Sequence, residues 1–178
     1  MNCNKPVHYY PMKEQMLIKQ LKREYERDCT NTESVELRKI LKQMDNLQKK
    51  LVILFHMTFF DNLDITRDHR IVFQSLLNYR PKDLKTIVEK IFQNNNYGNH
   101  RKYCAKSYGY YEKALDSFLL ILPQLTKGIQ NNESFGTLYR IMNQVYSFGR
   151  TSCWDFLERV DRTILNGKLL PTSVLSVN

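Results

Sequence analysis

Glycine and proline are scarce in this chain, six and five among 178 residues. A turn-rich β fold needs more of both, so their shortage favours long helices. Long apolar runs are missing too. The longest candidate, Leu51 to Phe60, is broken by His56 and Thr58 and falls short of the roughly 18 residues that span a bilayer. The N-terminus, Met1 to Tyr10, holds no apolar stretch of the kind a secretory signal carries. The four cysteines, Cys3, Cys29, Cys104 and Cys153, lie far apart with no CxxC pair. That argues against a structural zinc site, and scattered thiols suit a reducing cytoplasm. No metal site and no cofactor is expected. The phosphate-cradling and dinucleotide glycine motifs, HExxH and GxSxG are all lacking, which removes support for nucleotide hydrolysis, dinucleotide chemistry and the common hydrolases.

Positive charge is present in excess. Lys and Arg number 27 against 18 Asp and Glu, a formal charge of +9, and the pI is near 9.4. Such a surface suits phosphate backbones, acidic proteins or anionic membranes, with solubility alone as the plain alternative. A 42% hydrophobic content is enough to bury a core.

The periodicity predicts an all-α, multi-helix single domain. Lys13 to Asp28 reads as a charged helix with Met16, Leu17, Leu21 and Tyr25 as a narrow apolar stripe. Thr30 and Glu33 match a capping box opening a second helix. Its apolar residues Leu37, Ile40, Leu41, Met44, Leu47, Leu51, Leu54 and Phe55 recur at steps of three and four, out to about Phe60. Further helices are expected at Thr66 to Tyr79, from Pro81 with Leu84, Ile87, Val88, Ile91 and Phe92 inward, at Ser107 to Leu122 stopped by Pro123, at Ser134 to Phe148, and at Ser152 to Leu165 ended by Gly167. The expected organisation is an N-terminal charged helix (1–29), a helical core (30–168) and a tail (169–178). The tail is apolar at Leu169, Leu170, Val174, Leu175 and Val177; it either packs back on the body or opens a longer architecture.

Two segments read as surfaces for nucleic acid. The first is Val145 to Leu157, where Gly149 joins two helices and is followed by Arg150, Thr151, Ser152 and small Cys153. It resembles the second half of the helix–hairpin–helix motif of DNA-repair glycosylases, with Ser147 where that motif carries an earlier glycine. A helix N-terminus offers unpaired N–H groups to a phosphate, and Arg150 adds charge there. The same residues equally fit an ordinary hairpin, with Gly149 after one helix and Thr151 or Ser152 capping the next. The second segment, Asn94 to Tyr111, has no acidic residue. It interleaves His100, Arg101, Lys102 and Lys106 with Tyr97, Tyr103, Tyr108, Tyr110 and Tyr111. Cations neutralise phosphates and tyrosines stack on bases; alternatively, Tyr108 and Tyr111 are core residues and Arg101 and Lys102 merely solvated.

Several titratable groups stand out. His56 on an apolar helix reads as a core histidine. Asp61, Asp64, Arg67, Asp68, His69 and Arg70 cluster at a helix junction, as an acid/base site or as caps and surface ion pairs. Asp155, Glu158 and Asp161, beside Arg159 and Arg162, lie roughly along one helix face, most simply a solvated one.

Leu54-Phe-His-Met-Thr-Phe-Phe-Asp61 with Arg67 and Arg70, and Phe148-Gly-Arg-Thr-Ser-Cys-Trp-Asp-Phe-Leu-Glu158, resemble the amino acid:DNA transferase family of phages. The resemblance spans about Leu51 to Pro171. It implies a helical, glycosylase-like domain that acts on DNA in the host-cell cytoplasm. The implied reaction displaces pyrophosphate from a 5-hydroxymethyluracil-derived base with an amine or amino acid, during thymidine hypermodification. It also implies roles. Asp61 or Glu158 would orient or deprotonate the amine. Arg150, Thr151 and Ser152 would bind duplex or pyrophosphate. The expected contacts to nucleic acid are His100, Arg101, Lys102, Lys106, Tyr108, Gly149, Arg150, Thr151 and Ser152. A non-catalytic nucleic-acid-binding protein and a helical module for an acidic protein partner are the competing readings.

Overall fold

The computed structural model describes residues 32–60, 81–94 and 107–169. The expected helices at Lys13 to Asp28 and Thr66 to Tyr79, and the tail beyond Leu169, lie outside the described residues.

The helix at the centre is the one whose sequence is apolar on every side. In α2 (Leu47–Phe60) all ten residues from Leu51 to Phe60 are buried. A helix with no polar face has to be surrounded, and α2 packs between α4 (Tyr108–Gln130) and α6 (Arg150–Val160). The shorter α5 (Phe135–Met142) packs on both α4 and α6, and α3 (Pro81–Gln93) leans on α4. The first described helix, α1 (Thr32–Lys42), packs against a π-helical turn, Asp161–Leu165, that continues α6. Every described element is helical or a turn, so the chain is all-α as its composition requires.

Three boundaries differ from those the sequence predicts. The long second helix is two helices. The chain leaves α1 at Lys42 and restarts at Leu47, where the Asn46 side chain accepts from the Lys49 N–H at 3.1 Å. That is an N-cap. The apolar period runs through the break because Leu41, Met44 and Leu47 keep their spacing across a bend. Pro123 does not stop α4 but sits inside it. An interior proline forfeits one helical hydrogen bond and costs about 3 kcal/mol in an isolated helix. Here Leu122, Leu125 and Ile129 are buried on the inner face while Pro123 faces solvent, so packing outweighs the lost bond. The helix from Ser134, capped by that residue's hydroxyl on the Thr137 N–H at 3.2 Å, ends at Met142 rather than Phe148. Residues 143–149 are a run of turns.

Aromatic rings fill the space around α2. Phe55 stacks on Phe118 at 4.6 Å and on Phe148 at 5.4 Å between centroids. Phe59, Phe60 and His56 surround Tyr111 of α4. Tyr111 is wholly buried, and among the described residues its hydroxyl has no hydrogen-bond partner. Burial therefore drives its ionisation far upward. A buried hydroxyl without a partner costs its full desolvation. Tyr111→Phe is thus expected to raise stability by about 1 kcal/mol, or about 2–4 °C in Tm, in a thermal melt. An unchanged or lower Tm would mean that the hydroxyl is satisfied in solution.

Candidate functional site

The two segments that carry the family resemblance are far apart in the chain, and the fold brings them together. The contact is between α2 and α6: the Arg159 guanidinium donates to the Thr58 hydroxyl at 3.3 Å. Along α6, Ser152, Cys153, Phe156, Leu157 and Val160 turn inward and Asp161 extends the same buried stripe. Asp155, Glu158 and Arg159 are half-buried beside it. Glu158 is ion-paired with Arg162 one turn on. Asp161 accepts from the Leu169 N–H at 2.8 Å and so holds the start of the tail against the body.

The charged face of α6 is therefore not the solvated face its spacing suggested. The period reports which residues share a side. It does not report that α2 comes to lie against that side with a threonine in reach. Glu158 is thus half-buried next to Arg159 and ion-paired along its own helix with Arg162. His56 is a core residue, as read, with its ring 4.7 Å from Phe60. Among the described residues no group of three His, Cys, Asp or Glu side chains is placed to hold a metal ion.

The start of α6 is built differently from expectation. Gly149 is its N-cap, with φ −85° and ψ −174°, and no side chain caps the helix. That is ordinary extended backbone, and a Cβ placed there meets nothing within 4 Å. The residue that adopts the left-handed conformation is Ser147, at φ 66°. Glycine tolerates that geometry best, yet the turn places it two residues earlier, on a serine. Gly149→Ala should consequently cost only what a poorer N-cap costs, about 0.5–1 kcal/mol, whereas Ser147→Val should cost about 1–2 kcal/mol. Urea titration of both variants checks this, and a larger loss at Gly149 than at Ser147 would reverse the assignment.

Gly149, Arg150 and Thr151 are exposed and Ser152 is buried, so three of the four residues expected at this helix start face solvent. Cys153 is buried, and burial pushes its thiol up to about 11, which leaves it protonated and a poor nucleophile. Tyr108 opens α4 and is partly buried. Its ionisation is pushed up to about 12, first by burial, then by its hydrogen bond to Glu112 and by the charges of Glu112, Asp116 and Glu89. Among the described residues, the charges that act on it are thus acidic. The sequence reading did not anticipate this, because Glu89 reaches Tyr108 only through the packing of α3 on α4. Asp61, His100, Arg101, Lys102 and Lys106 lie outside the described residues, as do Asp64, Arg67, Asp68, His69 and Arg70.

One aromatic residue escaped the sequence reading. Tyr146, in the turns between α5 and α6, is 46% exposed and meets Tyr110 edge-on at 5.4 Å. Its signal was weak, a single tyrosine inside a stretch read as helix.

An all-α body is what the resemblance implied. The model of the amino acid:DNA transferase family matches residues 35–169, most of the chain and nearly all of the described body. The protein belongs to the amino acid:DNA transferase family. No curated protein and no solved structure matches the chain. Among the described residues no helix is long and apolar enough to cross a membrane.

Proposed function

We propose that this protein transfers an amine or amino acid onto a base in DNA, displacing pyrophosphate from a 5-hydroxymethyluracil derivative. The observation that carries the reading is the family match over residues 35–169, together with the packing of the two motif-bearing helices on each other. Phe55 of one quoted segment stacks on Phe148 of the other, and Arg159, one residue beyond the second, donates to Thr58, with Glu158 and its partner Arg162 on the same helix.

The amine nitrogen attacks the exocyclic methylene carbon on C5 of the uracil. A C–N bond forms, the C–O bond breaks, and its electron pair leaves with pyrophosphate. The surplus proton on nitrogen passes to a carboxylate. Glu158 is the candidate among the described residues and Asp61 the candidate outside them. The base has to leave the helical stack to be reached. The exposed start of α6, with Gly149, Arg150 and Thr151, suits the DNA backbone, because its first N–H groups lack a side-chain cap and Arg150 adds charge. His100, Arg101, Lys102, Lys106 and Tyr108 are further candidate contacts, and buried Ser152 would support the helix start.

The direct test supplies the protein with DNA containing the pyrophosphorylated base and a mixture of amines and amino acids. Digestion to nucleosides and mass spectrometry should then find an aminated thymidine derivative and free pyrophosphate. Binding to such DNA with no product from any donor would leave a non-catalytic DNA-binding protein instead.

Binding itself makes a separate prediction. Duplex affinity should fall steeply with salt, with a log–log slope of about −4 to −5 if roughly five phosphates are contacted. Arg150→Ala should weaken binding by about 1–3 kcal/mol and make the slope shallower by about one. Its Tm should hold, since the side chain is exposed. Lys42 is a matched control, an exposed cation on α1, which packs at the far end of α6. Equal losses at Arg150 and Lys42 in anisotropy titrations would reduce the effect to bulk charge.

A further inference from the structure

We propose that Tyr146 is a stacking platform for an unpaired nucleobase; this rests on the reading of the protein as one that acts on DNA. Only two large apolar side chains are strongly exposed among the described residues, Leu120 and Tyr146. Leu120 lies mid-helix on α4, but Tyr146 is held in place by several independent contacts. Its N–H donates to the Ser117 hydroxyl of α4 at 2.8 Å, and that hydroxyl is itself bonded to the Ala114 carbonyl at 2.9 Å. The neighbours Val145 and Phe148 are buried. Ser147 takes the left-handed conformation without being glycine, so this turn is held against a local backbone preference. Tyr110 meets the ring edge-on, which limits its rotation.

The result is an aromatic surface on a fixed backbone, presented to solvent. Two exposed cations stand close to it in the chain or along α4: Arg150, four residues on, and Lys113, one turn from Tyr110. Tyr110, Lys113 and Ser117 follow one another along one stripe of α4 at helical spacing, and both Lys113 and Arg150 are exposed. The acidic groups of that helix, Glu112 and Asp116, act on Tyr108 along the adjacent stripe. A ring stacks only on an uncovered face, and bases within a duplex have both faces covered. The occupant is therefore a base of a single strand, or one next to an extruded nucleotide.

The test uses a single-stranded oligonucleotide carrying 2-aminopurine, whose fluorescence falls on stacking, with the full chain. Wild type should quench it. Tyr146→Ala should lose the quenching and about tenfold in single-strand affinity, with unchanged Tm and unchanged binding to an intact duplex. Tyr146→Phe should retain both quenching and affinity, and Leu120→Ala should behave as wild type. Quenching and affinity that survive in Tyr146→Ala, with DNA binding intact, overturn this proposal alone. So does a Tyr146→Phe variant as weak as the alanine, since a hydroxyl contact would then be responsible. A wild-type protein that binds no DNA overturns this proposal together with the function on which it rests.

Discussion

Phe55→Ala should cost about 3–5 kcal/mol of stability, the range for removing a fully buried aromatic ring. Phe55 is wholly buried near the middle of α2 and touches Phe59, Tyr111, Phe118 and Phe148. Its two stacked partners come from different places. Phe118 belongs to α4, and Phe148 ends the turns that lead into α6. The ring therefore ties the central helix to the turn that carries Tyr146, Gly149 and Arg150. For a chain of this size the loss corresponds to a Tm lower by about 10 °C, read by circular dichroism. Phe55→Leu keeps most of the volume and should cost less than about 1.5 kcal/mol. If the alanine variant lost under about 1 kcal/mol, α2 could not be the centre of the packing.

Glu158→Gln is expected to have the largest effect on activity. If Glu158 takes the proton from the attacking amine, replacing its carboxylate should lower the turnover number by about 10²–10⁴-fold. Glutamine keeps the shape and one acceptor oxygen, so the ring packing around α2 is untouched. The ion pair with Arg162 is lost, but at a half-buried site its net worth is modest, on the order of 1 kcal/mol. Activity and stability should therefore separate, with a large fall in product formation and a Tm within a few degrees of wild type. A turnover within threefold of wild type would remove Glu158 as the base and leave Asp61 as the candidate. Comparable losses of Tm and activity would make it a structural residue of α6.

The candidate site was only partly legible in the sequence. The start of α6 stood out from residue type and order and Glu158 through the family resemblance, and the family match covers both. The link from Arg159 to Thr58 had no sequence signature, because it joins residues about a hundred positions apart. Tyr146 was hidden by a helix drawn six residues too long. An apolar period cannot mark where a helix gives way to turns whose residues are still alternately buried, as Val145 and Phe148 are.

By itself the sequence determined the all-α class, the inward face of α3, the starts of α3, α4 and α5, and the excess positive charge. These are local properties. A helix face follows from spacing, and a start follows from a proline or a capping hydroxyl within one turn. Tertiary structure alone decided that Pro123 is carried within a helix, that one long apolar stripe is two helices, and that Ser147 rather than Gly149 bears the left-handed turn. It also decided that the charged face of α6 closes over α2. Each of these outcomes turns on free energies of about 1–3 kcal/mol per residue. Contacts between distant segments supply that much, and no window of neighbouring residues contains them.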